Sequence, residues 1–329
     1  MSLDLEIVIV SWNVVKLLED CLNSIYGAPG ARLDAEGILH LGSYTAKVHV
    51  VDNASSDGSP KMVRDRFPAV DLVASSENLG FTRGNNLALR RCQARYVLLL
   101  NPDTRIVADA LTKMLDYMED HPDVGVLGPQ LRYGDGSPQS SRRRFPTFMT
   151  ALMESTLLQQ WFPENRWAQR YYVQDVPGEE VQDVDWVTGA CMLVRREVVR
   201  AVGPLDEAFF MYSEELDWCR RIVDAGWRVV YFPRAVVVHY EGRSSDQVVA
   251  ERHIHFQRSK VLYFRKHHSR VMAETLRLFI LGTYFFQVVE EGLKYVVGHR
   301  RTLRRARLGA YAKVLRSGLR RGALVEKDA

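Results

Sequence analysis

From Leu5 to Asp103, apolar runs of strand length alternate with segments of helical apolar spacing, and this alternation restricts the fold more than any other feature. "LEIVIVSW" reads as a buried strand and "NVVKLLEDCLNSIY" as the helix after it. "AKVHVVDNAS" is a second strand, and "DGSPKMVRDRF" opens a second helix with Pro60 in its first turn. "VDLVAS" with "GFTRGNNLALRRC" makes a third pair, and "RYVLLLNPD" a fourth strand. Such alternation predicts an α/β fold on a parallel sheet with right-handed crossovers. In sheets of this kind ligands bind beyond the carboxyl ends of the strands. Four ends carry polar residues: Ser11-Trp12-Asn13, Asp52-Asn53, Glu77-Asn78 and Asn101-Pro102-Asp103. One polar strand end is an ordinary cap or turn; several together favour a site.

Residues 27–46 read as an extended loop, and 134–183 as a less regular stretch containing "SRRRFP" and an aromatic-rich segment. Strand and helix patterns return at "VDWVTGACMLVRREVVRAVG" and run to about Tyr240, with helices expected beyond. The 329 residues, 47% hydrophobic and 26% charged, suit one large or two ordinary domains. Cys21, Cys92, Cys191 and Cys219 form no C-x-x-C pair, which predicts buried free thiols in a reducing cytoplasm. The N-terminus shows no secretory pattern, so a cytoplasmic chain is expected. Neither G-x-G-x-x-G after the first strand nor G-x-x-x-x-G-K-[ST] occurs, which argues against a dinucleotide oxidoreductase and a P-loop enzyme.

Several positions have chemical potential. Asp103, at the mouth of a core strand, can hold Mg2+ or Mn2+ whose other ligands are waters and phosphates, or it can cap the helix near Ala108. Asp52 ends an apolar run where no helix begins, and its carboxylate can accept from a base N–H or a ribose hydroxyl. Gly80 and Gly84 permit close backbone approach, and Arg83 can face a phosphate. Glu214, Glu215 and Asp217 crowd three carboxylates into four positions. Crowded acids have raised pKa values and can act as general bases, although an acidic first helical turn also satisfies the macrodipole. His239 follows the strand "AVVV", where a structural histidine and a ligand are about equally expected.

In order along the chain, "VIVSWN", "VVDNASSDGS", "NLGFTRGNN", "LLLNPDT", "VTGACMLVRR", "GPLDEAFFMYSEELDWCRR" and "VVHYEGRSS" resemble glycosyltransferase family 2, inverting enzymes of the GT-A fold. The resemblance spans about residues 5 to 245, with most similarity to the rhamnosyltransferase-like branch of bacterial cell-surface polysaccharide synthesis. It implies a Rossmann-like, mostly parallel central sheet flanked by helices, with a C-terminal helical extension. The expected GT-A domain is 1–245, with a nucleotide-sugar half at about 1–130 and an acceptor half at about 131–245; a basic amphipathic helical region would occupy 246–329. Asp52 matches the acid that contacts the base, and Asp103 the last acid of a D-x-D metal motif whose first position is Asn101 here. Glu215 matches the catalytic base, with Glu214 and Asp217 as alternatives. His239 matches a residue near the metal and diphosphate, while Gly189 and Ala190 match a strip on the acceptor side. Ser11, Asn13, Asn78, Gly80, Arg83, Asn101 and Trp186 complete the expected substrate contacts.

The resemblance implies single displacement from a nucleotide-diphosphate sugar, dTDP-rhamnose before UDP-sugars, to a hydroxyl of a glycan or lipid-linked acceptor. A divalent metal, Mg2+ or Mn2+, would assist. Two other readings compete. A sugar-phosphate nucleotidyltransferase needs a Gly-rich loop with a basic residue after the first strand, where this chain has "SWNVVK". An inactive scaffold would have no reason to keep Asp52, Asp103 and Glu215.

Beyond about Ser245 composition has to speak. From Glu251 onward there are 18 Lys and Arg against 6 Asp and Glu, whereas the first 250 residues carry 26 against 34. The longest uncharged run of the tail, Leu278 to Val289, is 12 residues, short of the ~20 needed to cross a bilayer. An apolar helix followed by a basic one predicts peripheral contact with the inner face of an anionic membrane. Docking on the catalytic domain or a homodimer contact are the alternatives, and no nucleic-acid-binding motif accompanies the charge.

Overall fold

A computed structural model describes residues 3–154, 156–240, 249–298 and 300–320. The chain begins with β1 (Leu5–Ser11), α1 (Val15–Tyr26), β2 (Ala31–Leu33), β3 (Leu39–Leu41), β4 (Tyr44–Asp52), α2 (Ser59–Arg66), β5 (Asp71–Ala74), α3 (Gly80–Leu89) and β6 (Tyr96–Leu100). Next come β7 (Thr104–Ile106), α4 (Ala110–Asp120), β8 (Val124–Arg132), β9 (Pro138–Gln139), β10 (Arg142–Arg143), α5 (Phe148–Met153), α6 (Leu157–Trp161) and α7 (Arg166–Tyr171). Then follow β11 (Gln182–Val184), β12 (Trp186–Val187), β13 (Cys191–Arg195), α8 (Arg196–Val202), α9 (Glu214–Asp224), β14 (Arg228–His239), α10 (Val249–His267), α11 (Arg270–Val296) and α12 (Arg301–Ser317).

Two compact units emerge. One comprises Met1–Phe145, Tyr172–Phe210 and Glu214–Ser244, and the other Pro146–Tyr171, Met211–Ser213 and Ser245–Ala329. The first unit holds a sheet in the order β11-β14-β8-β13-β6-β1-β4-β3-β2, with β5 joined to β4, β7 to β14 and β9 to β8. All residues of β1 and β6 are buried, as continuous apolar runs in a covered parallel sheet require. β5, β4, β1 and β6 run parallel; beyond β6 the sheet is mixed, because β13 runs antiparallel to both β6 and β8. α1 covers the sheet with Leu18, Cys21, Leu22 and Ile25, spaced i, i+3, i+4 and i+7. A fully buried Leu or Ile of this kind contributes about 1.5–3 kcal/mol.

The stretch 27–46 departs from the loop expected of it. β2 and β3 form a hairpin that extends the sheet beyond β4, with Leu39 and Leu41 buried. The Asp34 carboxylate organises the turn by accepting from the Glu36 and Ile38 amides at 3.0 and 2.8 Å. All four cysteines are free and buried in the first unit. The second unit is helical: α10, α11 and α12 pack together with the short α5, α6 and α7.

Candidate functional site

Pairing in the first unit sets its polar strand ends in a row. Ser11 lies opposite Asp52 on β4, and Ile9 lies opposite Leu100, the residue before Asn101. Leu100 in turn pairs with Cys191, and the Asn101 amide donates to the Ala190 carbonyl at 2.9 Å. Asp52, Ser11, Asn101 and Ala190 therefore follow one another across three strand spacings, roughly 14 Å. Along this edge Ser11 Oγ, Asp52 Oδ2, Asn53 Oδ1, Thr82 Oγ1, Asn101 Oδ1 and Thr188 Oγ1 are buried without a hydrogen-bond partner. Such oxygens are costly unless a ligand or water satisfies them.

Asp52 is 1% exposed, and its other oxygen accepts from the Ser55 amide at 2.9 Å. Asn13, at φ 52°, ties two loops together: its amide donates to Ser55 Oγ and its side-chain oxygen accepts from the Ser56 amide. Asn78 is exposed and accepts from the Gly80 amide at 2.9 Å, a turn contact. Gly80 has φ +75°, and a Cβ there would lie 2.6 Å from Phe210 Cε2 and 2.8 Å from the Phe210 carbonyl oxygen. Arg83 is exposed on α3, beside the buried Thr82. Trp186 is buried and donates its indole N–H to the Arg144 carbonyl at 3.0 Å.

The acid cluster opens α9. Glu214 is buried and Glu215 half-buried, each with Oε2 unpartnered. Burial, and then the charge of Glu215, push the Glu214 carboxyl well above the usual range. Burial also raises Glu215, while the amides at the helix start, the Gly189 amide and the Arg143 guanidinium draw it back. A Cβ on Gly189 would pack 3.6 Å from Glu215 Cβ, so the Gly189–Ala190 strip forms one wall of the Glu215 side chain. Asp217 is fully buried and accepts from Arg221 Nε at 3.0 Å; Arg221 also donates to the Val202 and Pro204 carbonyls. Asp217 thus anchors the helix, and Glu215 is the most accessible of the three carboxyls.

Asp103 caps no helix: α4 starts at Ala110, and Thr104 Oγ1 closes the preceding turn onto the Asn101 carbonyl. Its carboxylate faces His239, with Oδ1 3.3 Å from Nε2, because β7 pairs with β14 and sets His239 opposite Thr104. Gln139 Oε1 lies 2.9 Å from His239 Nδ1. An amide oxygen only accepts, so Nδ1 carries the proton and a neutral ring turns its Nε2 lone pair toward the carboxylate. A proton on Nε2 or a cation between the two groups satisfies both. An imidazole oriented from behind, a carboxylate and the unpartnered Asn101 Oδ1 fit a divalent cation. The last residues of the motif containing His239, Glu241 to Ser245, lie outside the described residues.

Thr82, Gln139, Arg143 and Thr188 carried no signal in the sequence. Arg143 is seated over the Tyr172 ring at 4.5 Å and bears on Glu215 by charge. A second titratable group, Glu6, His49 and Cys92, lies at the opposite end of the strands. Glu6 precedes Ser11 by five residues, roughly 16 Å along β1. Glu6 Oε2 accepts from the Gln93 and Ala94 amides, and His49 bridges Glu6 and Asp71 at 3.2 and 2.9 Å. These contacts make it a self-satisfied core ion cluster.

A mixed sheet with a polar row and acids at its carboxyl edge defines a GT-A glycosyltransferase. The chain matches the family described as "Glycosyl transferase family 2" over residues 6–203, and it belongs to that family. It is 31% identical over 247 residues to the N-acetylglucosaminyl-diphospho-decaprenol L-rhamnosyltransferase of Mycobacterium tuberculosis, covering 72% of this chain and 80% of the relative. It is 27% identical over 193 residues to the rhamnosyltransferase WbbL of Escherichia coli K12, covering 55% of this chain and 67% of that one. In structure it resembles the mannosyltransferase PcManGT from Pyrobaculum calidifontis, solved in complex with GDP-Man and Mn2+. There the TM-score is 0.55 at 17% identity, covering 100% of this chain and 89% of the other. Glu214, Glu215 and His239 lie beyond the matched family span.

Proposed function

We propose that this glycosyltransferase moves a rhamnosyl group from dTDP-rhamnose to a hydroxyl of an N-acetylglucosaminyl lipid diphosphate, with inversion. The relative named for that reaction supports the donor and acceptor classes. The observation that carries the reading is the row of buried, unpartnered oxygens from Asp52 to Asn101, with a half-buried Glu215 packed on Gly189, next to the Ala190 whose carbonyl accepts from the Asn101 amide. Asp52 accepts from the base or ribose. Asp103, His239 and Asn101 hold a divalent cation, Mg2+ or Mn2+, which when bound neutralises diphosphate charge. Glu215 takes the proton of the acceptor hydroxyl, the freed oxygen bonds to the anomeric carbon from the face opposite the diphosphate, and the carbon–oxygen bond to the diphosphate breaks. Against the effect of burial, the Gly189 amide and Arg143 favour the ionised form of Glu215, the form that acts as a base. A lipid-linked acceptor places the chain at the inner face of the cell membrane, as a cytoplasmic, peripheral protein.

The test supplies purified protein with a lipid-diphosphate N-acetylglucosamine acceptor and, separately, dTDP-rhamnose, UDP-glucose, UDP-galactose and UDP-N-acetylglucosamine. Turnover with dTDP-rhamnose, giving a product of inverted anomeric configuration by NMR, is expected. Turnover with a UDP-sugar alone replaces the donor. Retained configuration removes Glu215 from its role as base.

A further inference from the structure

α11 has two apolar faces. One is internal to the second unit: Ala273, Leu276, Ile280 and Tyr284 are buried, as is Glu291. The other lies open. Val271, Leu278, Phe285, Val289, Leu293 and Val296 succeed one another at intervals of seven, seven, four, four and three residues, which places them on one side of the helix. Leu278 is 61% exposed, Phe285 63%, Leu293 65% and Val296 75%. The row extends roughly 38 Å at helical rise, and Glu274 on its flank is paired with Arg277 at 2.8 Å. Single exposed apolar residues are ordinary, but a continuous row marks a contact surface. Trp161, 58% exposed, meets Phe286 edge-on with centroids 6.0 Å apart and widens the row with an interfacial aromatic.

We propose that this face docks on the surface of an anionic phospholipid bilayer, with α11 lying in the interface rather than crossing it. Length and hydropathy alone would let α11 span a membrane. Its inner face forbids lipid on all sides. Glu291 there pairs with Arg304 and Arg307 at 2.8 and 3.1 Å. The Tyr284 hydroxyl meets His253 Nδ1 at 2.9 Å, and Arg277 donates to the Gly318 carbonyl at 3.0 Å. These polar ties hold α11 to α10 and α12 along one side, leaving only the other side for lipid.

Charge decides between a bilayer and a second copy of the chain. Arg300 and Arg301 follow the end of the apolar row, with Arg301 over the Tyr295 ring at 5.8 Å. Exposed Arg305 and Arg316 continue along α12, whereas Arg307 is paired with Glu291 and Lys313 with Glu251, and residues 300–320 include no acid. In a two-fold dimer the same patch would be presented by both copies, and residues 300–320 of either copy hold no acid to neutralise these cations. An anionic headgroup layer complements them instead. The inference does not depend on which sugar or acceptor the first unit uses.

The test is co-sedimentation of the full-length protein with vesicles of phosphatidylcholine alone, or of phosphatidylcholine with phosphatidylglycerol, at low and high salt. Binding to the anionic vesicles that weakens with salt is expected. The exposed triple variant Leu278→Gln, Phe285→Gln, Leu293→Gln, verified as folded by circular dichroism, should lower the partition coefficient at least ~10-fold. Arg300→Gln, Arg301→Gln, Arg305→Gln should remove most of the preference for anionic lipid. Either of two results overturns the proposal: no binding of folded wild type to anionic vesicles, or binding that the triple variant leaves unchanged. A concentration-dependent dimer abolished by the triple variant, without vesicle binding, would assign the face to a second copy.

Discussion

Exchanging Glu215 for glutamine removes a proton acceptor without removing a side chain. Under the proposed mechanism kcat falls by about 10²–10⁴ while donor binding, read by thermal shift, persists. Because burial raises Glu215, the acid limb of the wild-type kcat profile should lie above the ordinary glutamate range, with activity rising as the base deprotonates. A limb at the free-glutamate position would dissociate Glu215 from the rate. Glu214 gives a stability prediction of opposite sense. Its proton is held more tightly folded than unfolded, so its contribution is full below the unfolded glutamate value and is lost as pH rises through the raised folded one. Glu214→Gln should therefore melt above wild type at about pH 7 and alongside it near pH 4; a difference that stays constant with pH would refute the assignment. At this scale the sequence exposed Asp52, Asp103, Ser11 and Asn101, because a polar side chain ending an apolar run stands out. Thr82, Gln139 and Thr188 were invisible, since an oxygen buried without a partner is created by packing and leaves no mark in residue order.

Elements convert such residues into a site by controlling approach. Gly80 opens α3 in a left-handed conformation against the Phe210 carbonyl, and Phe81 N donates to that same oxygen at 3.1 Å. Gly80→Ala must both strain the backbone and displace Phe210, at a cost of about 1–3 kcal/mol by urea unfolding. A loss below about 0.5 kcal/mol would mean that the loop adapts freely. Gly84 performs the parallel service against β1, where a Cβ would lie 2.8 Å from Val10 Cγ1. The long buried strands and α1 were legible because their patterns run for many residues. The β2–β3 hairpin was not, since three-residue strands are too short for period two to declare itself. Nor was the insertion of β13 between β6 and β8, which is settled by pairing between residues far apart in sequence.

Across the whole molecule, ligand binding should register as stability of the folded chain. Saturating dTDP with Mn2+ should raise the melting temperature, since a ligand at 100 times its Kd adds about 2.7 kcal/mol. Withdrawing the metal with a chelator should reduce the dTDP shift if Asp103 and His239 hold the cation; a shift indifferent to chelation would separate nucleotide binding from metal. The four thiols supply a different kind of reporter. Cys21, Cys92, Cys191 and Cys219 all belong to the sheet-bearing unit, and burial pushes Cys21 and Cys219 up to about 12, with Cys92 and Cys191 also raised. Alkylating reagents consume thiolate, so the native chain should label very slowly. Each modification then records one opening of that unit. The helical unit carries no cysteine, so its own unfolding passes unrecorded. Comparing labelling with total ellipticity during denaturation would time the two units separately, using no probe beyond the chain's own sulfur.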